Sequence, residues 1–187
     1  MAHILITGGT GMLSGAVTKF LSEYKSVSVI ARHESGFQYI LSETNFPERL
    51  NPILLDYSCT DIVSEKIISS IQNFGYIEKA VSWIHSHAER AHEVICNLLS
   101  SQNISSDYFQ ILGSAYSNPE RSISDSEKIF TPYENISYKK ILLGFKIENG
   151  ISRWLTEEEI SDGVYKAVNS GEYEFKIGLT KPWEKRP

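Results

Sequence analysis

The sequence predicts a doubly wound α/β fold, a three-layer α/β/α sandwich around a mostly parallel sheet. Short apolar runs rich in β-branched residues alternate with segments of helical periodicity, which is typical of stacked βαβ units. A glycine-rich segment lies directly between the first apolar run and the first helical segment. The 187 residues, 41% hydrophobic and 22% charged, suffice for one buried core, so we expect residues 1–187 to form a single domain.

The individual elements follow from the hydrophobic periodicity. Strands are predicted over residues 3–7, 27–31, 53–56, 79–84, 108–112, 140–147 and 174–177. Helices are predicted over residues 11–24, 36–44, 61–74 and 88–100. A further helix begins near Thr156, because Glu159 completes a capping-box spacing, and ends at Gly171. The right-handed crossover rule gives the strand order 3-2-1-4-5-6, with a seventh short strand.

Residues 113–137 interrupt this alternation. The segment is polar and contains Asn118-Pro119 and Thr131-Pro132, which favour turns. A connection of this length inside a compact fold is usually mobile or functional. We therefore expect a surface excursion that is a candidate lid.

Charge and hydropathy argue against several classes of function. The net charge of -5 and the isoelectric point near 5.6 do not suit a surface that binds nucleic acid or anionic lipid. No apolar run approaches the roughly 18 residues that span a bilayer, and no secretory leader pattern opens the chain, so we expect a cytoplasmic protein. Cys59 and Cys96 lie far apart and are expected to be reduced thiols.

The glycine-rich turn is the strongest functional signal. Thr7 is followed by Gly8, Gly9, Thr10, Gly11, Met12 and Leu13, all of which we predict to contact a cofactor. Glycine permits a tight turn and a close approach of the backbone to a pyrophosphate, whose charge is stabilised by free N–H groups and the positive end of the helix dipole. The segment therefore predicts a dinucleotide site in a Rossmann-like fold.

Arg32 indicates which dinucleotide is bound. It directly follows the second predicted strand, where an NAD-binding unit commonly carries an acid that holds the ribose diol. A guanidinium cannot accept hydrogen bonds from hydroxyls, but it pairs with a 2′-phosphate. NADP(H) is therefore favoured over NAD(H).

The segment from Thr7 to Ser14 resembles the Thr-Gly-x-x-Gly-x-x-Gly fingerprint of the short-chain dehydrogenase/reductase superfamily, with Ser14 in place of the last glycine. The resemblance implies further cofactor contacts. Asp56, beside Tyr57, would accept a hydrogen bond from the adenine amino group. His85 lies in the place of the family's Asn-Asn-Ala-Gly stretch, and Ser152 lies where a loop contacts the carboxamide.

The same resemblance implies a reaction centre of serine, tyrosine and lysine, with hydride supplied by the cofactor. Ser114 matches the catalytic serine in position, but no tyrosine of the chain has a lysine four residues later. The helices that usually carry this pair and form the family's dimer face are expected to be short or absent, so any homodimer would use another surface. The candidate replacement is Tyr133 or Tyr138, with Lys139 or Lys140 nearby, although Tyr138 and Lys139 point to opposite faces if they lie on a strand.

Histidines offer a second kind of proton donor. His85 or His87 could act as an acid, because an imidazole transfers protons near neutral pH. His92 is close enough in sequence to raise a metal site, but no carboxylate or cysteine completes a recognisable ligand spacing, so we predict no metal.

Three functions remain open from the sequence. The first is an NADP(H)-dependent oxidoreductase that acts on a small carbonyl or another reducible small molecule, including a conjugated acceptor that needs no strong acid. The second is a catalytically inactive NAD(P)-binding sensor or regulatory module. The third, a purely structural domain, is disfavoured because the glycine turn, Arg32 and Asp56 agree on one ligand.

Overall fold

The computed structural model describes residues 2–85, 88, 90–118 and 127–187. Its strands are β1 His3–Thr7, β2 Ser26–Ala31, β3 Leu50–Leu54, β4 Ile77–Ser82, β5 Ser106–Leu112, β6 Ile136–Leu143, β7 Phe145–Glu148, β8 Ile151–Trp154 and β9 Glu174–Ile177. Its α-helices are α1 Ser14–Glu23, α2 Glu34–Glu43, α3 Thr60–Phe74, α4 Arg90–Ser101 and α5 Glu157–Ser170. Single-turn 3-10 helices occupy Pro47–Arg49, Ser114–Ser117, Lys128–Phe130 and Trp183–Lys185.

Seven strands form one parallel sheet in the order β3-β2-β1-β4-β5-β6-β9. The predicted fold class and strand order are therefore confirmed. The order reverses between β1 and β4, so the carboxyl ends of these two strands flank the topological switch point of the sheet. Ligands of open α/β sheets bind at such a point.

The sheet is covered on both faces. On one face, α1, α2 and α5 bury residues such as Phe20, Ile40 and Val164 against β1, β2, β5 and β6. On the other face, α3 and α4 bury residues such as Ile67 and Ile95. The strands β1 and β2 are buried along their whole length, as expected of parallel strands covered by helices on both sides.

A hairpin separates the sixth strand from the last helix, and the prediction of one strand over residues 140–147 is wrong. The strand β6 ends at Leu143, and β7 and β8 form an antiparallel pair whose turn is Asn149-Gly150. Both turn residues have positive φ, 53° and 79°, as a two-residue hairpin turn requires. At Gly144 a Cβ would lie 2.1 Å from the Leu179 carbonyl oxygen, so only glycine permits the chain to leave the sheet there.

The connection between β5 and β6 is only partly the surface excursion that the sequence predicts. Its middle, residues 119–126, lies outside the described residues. The second residue of the predicted Asn118-Pro119 turn belongs to this part. Its later part is anchored, because Phe130 is 4% exposed and stacks on Tyr138 with ring centroids 4.3 Å apart. β6 also begins at Ile136, four residues before the predicted start.

None of the helices in the described part of the chain is long and apolar enough to cross a membrane.

Candidate functional site

The glycine-rich turn leaves β1 at its carboxyl end and enters α1. Gly8 has φ of 77°, and its N–H donates to the Ile30 carbonyl. A Cβ at Gly8 would lie 2.7 Å from the Trp83 carbonyl oxygen, and a Cβ at Gly9 would lie 2.7 Å from the Val29 side chain. Both glycines are therefore required by the protein itself, because any side chain would collide with a neighbouring strand.

Gly11 has a different environment. A Cβ built there would meet no protein atom within 4 Å, so the backbone of the turn borders open space at this position. Thr10, one residue earlier, packs against Gly36 near the start of α2, where a Cβ would lie only 2.4 Å from the Thr10 Cβ. The turn is thus held on the side of α2 and open at Gly11, which suits a pyrophosphate approached by backbone N–H groups.

Ser14 takes the place of the last glycine of the fingerprint, and Gly15 provides the close helix approach instead. A Cβ at Gly15 would lie 3.1 Å from the Ser161 Cβ and 3.2 Å from its Oγ. The Ser161 hydroxyl of α5 donates to the Met12 carbonyl over 2.8 Å. Leu13 is 1% exposed and packs in the core as the N-cap residue of α1.

Arg32 lies at the carboxyl end of β2, beside the turn. Its side chain is exposed, and it forms no ion pair with a carboxylate of the described residues. The segment that carries it is fixed at both ends, since Ile30 accepts from Gly8 and Gly36 contacts Thr10. Arg32 therefore follows a strand that is hydrogen-bonded to the glycine turn.

Asp56 and Tyr57 follow β3 on the neighbouring loop, which is joined to the Arg32 loop because Leu55 N–H donates to the Ala31 carbonyl. Asp56 Oδ1 accepts from the Ser58 N–H over 2.9 Å, so this carboxylate also orders the turn that leads into α3. Tyr57 is 4% exposed and belongs to the core cluster that α3 and α4 cover.

Trp83 joins the glycine turn to the end of β5. The backbone N–H of Trp83 donates to the Thr7 carbonyl, and the Trp83 ring lies 3.7 Å from the position of a Cβ at Gly113. Ser114 follows Gly113 directly and begins a single 3-10 turn. His85 is exposed, with its ring centroid 5.6 Å from that of Trp83. These residues line the carboxyl edge of the sheet next to the switch point.

Tyr138, predicted as a catalytic residue together with Ser114, lies apart from this group. In the β5–β6 ladder Tyr138 pairs with Tyr108, whereas Ser114 lies beyond the Leu112–Leu142 pair. The two positions are therefore separated by more than about 13 Å along the sheet. The Tyr138 hydroxyl donates to Gln110 Oε1 over 2.8 Å, and its ring is held against Phe130.

The lysines beside Tyr138 are also engaged elsewhere. Lys139 Nζ lies 2.7 Å from Asp107 Oδ1, and Lys140 Nζ lies 2.9 Å from Glu127 and 3.1 Å from Glu174. Burial by itself would lower the pKa of Lys140, but the hydrogen bonds that Lys140 donates to the Glu127 and Glu174 carboxylates together outweigh it and raise this pKa. Both lysines are therefore ion-paired with carboxylates.

His92 lies in the core, where it is 2% exposed and its Nδ1 is 2.7 Å from the Tyr108 hydroxyl. Burial lowers its pKa to about 4. His87 lies outside the described residues. Among those that are described, no three histidine, cysteine or acidic residues are grouped as metal ligands.

Ser152 lies on β8 of the hairpin and pairs with Ile147, so it projects from an ordered ribbon rather than a loop. Arg153 fixes this ribbon to α5, because its guanidinium binds Glu159 over 2.8 Å and Glu148 on β7. A cavity of about 360 Å³ lies elsewhere, between β3 and α3, and none of the predicted cofactor residues lines it.

No protein-family model matches the chain, and no curated protein matches it by sequence. Solved structures match it by fold. A short-chain type dehydrogenase/reductase from Mycobacterium marinum is 16% identical, with a TM-score of 0.70 over 95% of this chain and 93% of that chain. A short chain dehydrogenase from Bacillus anthracis is 15% identical, with a TM-score of 0.72 and 95% of each chain covered. This chain has the short-chain dehydrogenase/reductase fold.

A third solved structure has a similar fold. Serine dehydrogenase from Escherichia coli is 13% identical and superposes with a TM-score of 0.66 over 95% of this chain and 96% of that chain. The short-chain dehydrogenase/reductase fold is thus present across nearly the whole length. The glycine turn, Arg32, Asp56 and Ser114 follow strands β1, β2, β3 and β5 at the carboxyl edge of the parallel sheet.

Ser161 could not be identified from the sequence, because its hydroxyl donates to the Met12 carbonyl, which lies 149 positions earlier in the chain. A weak signal was present. The apolar stripe of α5 contains Ser161 and Gly163, and small residues on a buried helix face indicate a close approach of another element. What they approach depends on the tertiary fold.

Proposed function

We propose that the chain is a short-chain dehydrogenase/reductase that binds NADP(H) and acts as an oxidoreductase on a small carbonyl or another reducible small molecule. The observation that carries the proposal is the difference between the glycines of the turn. A Cβ at Gly8 or Gly9 would collide with the protein, whereas a Cβ at Gly11 would meet no protein atom within 4 Å. Protein packing explains the first two glycines. A ligand that needs the backbone at close range explains the third.

Each end of the cofactor has residues that suit it. The backbone N–H groups of the turn would hold the pyrophosphate at the positive end of α1. Arg32 would pair with the 2′-phosphate, and the Asp56 carboxylate would accept from the adenine amino group. Trp83, His85 and Ser152 would border the nicotinamide end.

The proposed reaction needs few catalytic groups from the protein. When bound, NADP(H) would supply or accept a hydride. The Ser114 hydroxyl would donate a hydrogen bond to the reducible group of the substrate and orient it. Because Tyr138 is held by Gln110 and its neighbouring lysines by carboxylates, a substrate that needs no strong acid, such as a conjugated acceptor, suits this site best.

A second candidate function is an NAD(P)-binding sensor without turnover. It is favoured by the absence of a Tyr-x-x-x-Lys sequence anywhere in the chain. The two functions share the cofactor site and differ only in hydride transfer. Oxidation of NADPH in the presence of a panel of carbonyls and quinones would separate them.

Two substitutions at Gly11 test the shared cofactor site. The Cβ of Gly11→Ala meets open space and adds no charge, so the fold should be retained. Gly11→Asp adds a carboxylate at the same point, and its repulsion should raise the Kd for NADPH at least about 100-fold. Calorimetry would measure both, with Gly11→Ala closer to the wild type. Unchanged NADPH binding by Gly11→Asp would refute the site.

A further inference from the structure

Ser161 connects the last helix to the glycine-rich turn. It is 3% exposed, and its hydroxyl donates to the Met12 carbonyl over 2.8 Å. Gly15 makes this approach possible, because a Cβ there would lie 3.2 Å from the Ser161 Oγ. The contact joins Ser161, near the end of the chain, to Met12, near its beginning, on the side of the turn that faces α5.

Fixing the Met12 carbonyl also fixes the next N–H group. The carbonyl of Met12 and the N–H of Leu13 belong to one planar trans peptide, in which they point in opposite directions. Since the carbonyl points to α5, the Leu13 N–H points away from α5. Leu13 is the N-cap residue of α1, and the N–H groups at the start of a helix have no partner within it.

We propose that Ser161 is a positioning residue for cofactor binding, which aims the Leu13 N–H at the pyrophosphate by holding the Met12 carbonyl. The inference rests on the proposed function, since it requires a dinucleotide at the turn. Ser161 itself does not touch the cofactor. Without its hydroxyl, the Met12–Leu13 peptide loses its hydrogen bond to α5, and the orientation of the donor must be restored at the time of binding.

The test compares two variants and two ligands. Ser161→Ala removes the hydroxyl. Ser170→Ala is the matched control, since the Ser170 hydroxyl donates within α5 to the Ala167 carbonyl, about 13 Å further along the helix. NADPH carries the pyrophosphate. Adenosine 2′-monophosphate carries adenine and the 2′-phosphate but no pyrophosphate, so it contacts the Arg32 and Asp56 loops alone.

Ser161→Ala should raise the Kd for NADPH about three- to tenfold, the usual net value of one hydrogen bond, and leave the Kd for adenosine 2′-monophosphate unchanged. Ser170→Ala should leave both values unchanged. Equal NADPH affinity of Ser161→Ala and wild type would overturn the inference while the proposed function stands. Equal weakening of both ligands would also overturn it, since it would indicate a general structural role. A wild-type protein that binds neither ligand would refute the proposed function and the inference together.

Discussion

A neutral histidine lies in the core of this protein, at the centre of a chain of hydrogen bonds. Tyr138 donates to Gln110, whose side-chain nitrogen lies 3.4 Å from His92 Nε2, and His92 Nδ1 contacts Tyr108. With the proton on Nδ1, each of these groups donates once to the next. A proton on Nε2 would face the donor of Gln110, so the network fits only the neutral ring.

We therefore expect the protein to lose stability in mild acid. The unfolded His92 protonates near pH 6.5, whereas the folded pKa is about 4, so its contribution is fully present above pH 6.5 and falls as the pH approaches 4. At pH 4.5 the loss should be about 2 kcal/mol. Urea unfolding at pH 7.5 and 4.5 would measure it. His92→Gln should reduce the difference, and the exposed His33→Gln should not; an equal pH effect in wild type and His92→Gln would contradict this account.

The sequence alone could place most of the candidate site residues that belong to backbone motifs. It could not place the residues whose position depends on side-chain packing. Gly8, Gly11 and Arg32 occupy positions set by the strand ends that precede them. Tyr138 could not be placed in the same way, because its hydroxyl partner Gln110 and its ring partner Phe130 come from other segments. Ser161 was missed for the same reason.

Among the elements, α5 has the best-defined start. Thr156 Oγ1 accepts from the Glu159 N–H over 3.2 Å, and Glu159 Oε2 accepts from the Thr156 N–H over 2.9 Å. The capping box predicted from the sequence is confirmed, as is the end at Gly171, which has φ of 68°. Glu159 also binds Arg153 and Lys146 of the hairpin, and these cations hold its pKa well below the usual range.

Removal of this cap gives a prediction for stability. Thr156→Ala leaves the Glu159 N–H without its acceptor and should lower the free energy of unfolding by about 1 kcal/mol. Thr156→Ser retains the oxygen and should stay within a few tenths of the wild type. Urea unfolding at pH 7.5 would compare the three proteins. If Ser and Ala cost the same amount, the cap does not stabilise α5 and the lost methyl group explains the effect.

The hairpin of β7 and β8 is an element that hydrophobic periodicity did not predict. The apolar pattern runs from β6 through β7, so it predicts one long strand. Asn149-Gly150 lies just beyond that predicted strand, and this dipeptide between apolar residues is the strongest short-range hairpin signal. The break at Gly144 was not predictable, because it is imposed by the Leu179 carbonyl of a distant segment.

For the whole molecule, the alternation of strands and helices was sufficient to predict the class and the order of the sheet. One crossover hand and buried strands leave few arrangements of these elements. The same topology brings the loops after β1, β2, β3, β4 and β5 to one edge. Self-association through a surface other than the usual family interface stays a prediction.

A calorimetric titration of the wild-type protein and Arg32→Asp with NADPH and NADH tests whether this edge of the sheet binds NADP(H). The wild type should bind NADPH at least about tenfold more tightly than NADH, because a guanidinium–phosphate contact is a charge-assisted pair. Arg32→Asp should reverse the preference. Lys166→Asp, at an exposed site on α5, makes the same change of charge and should not. Absence of binding for both dinucleotides, or equal affinities in the wild type, would contradict the account.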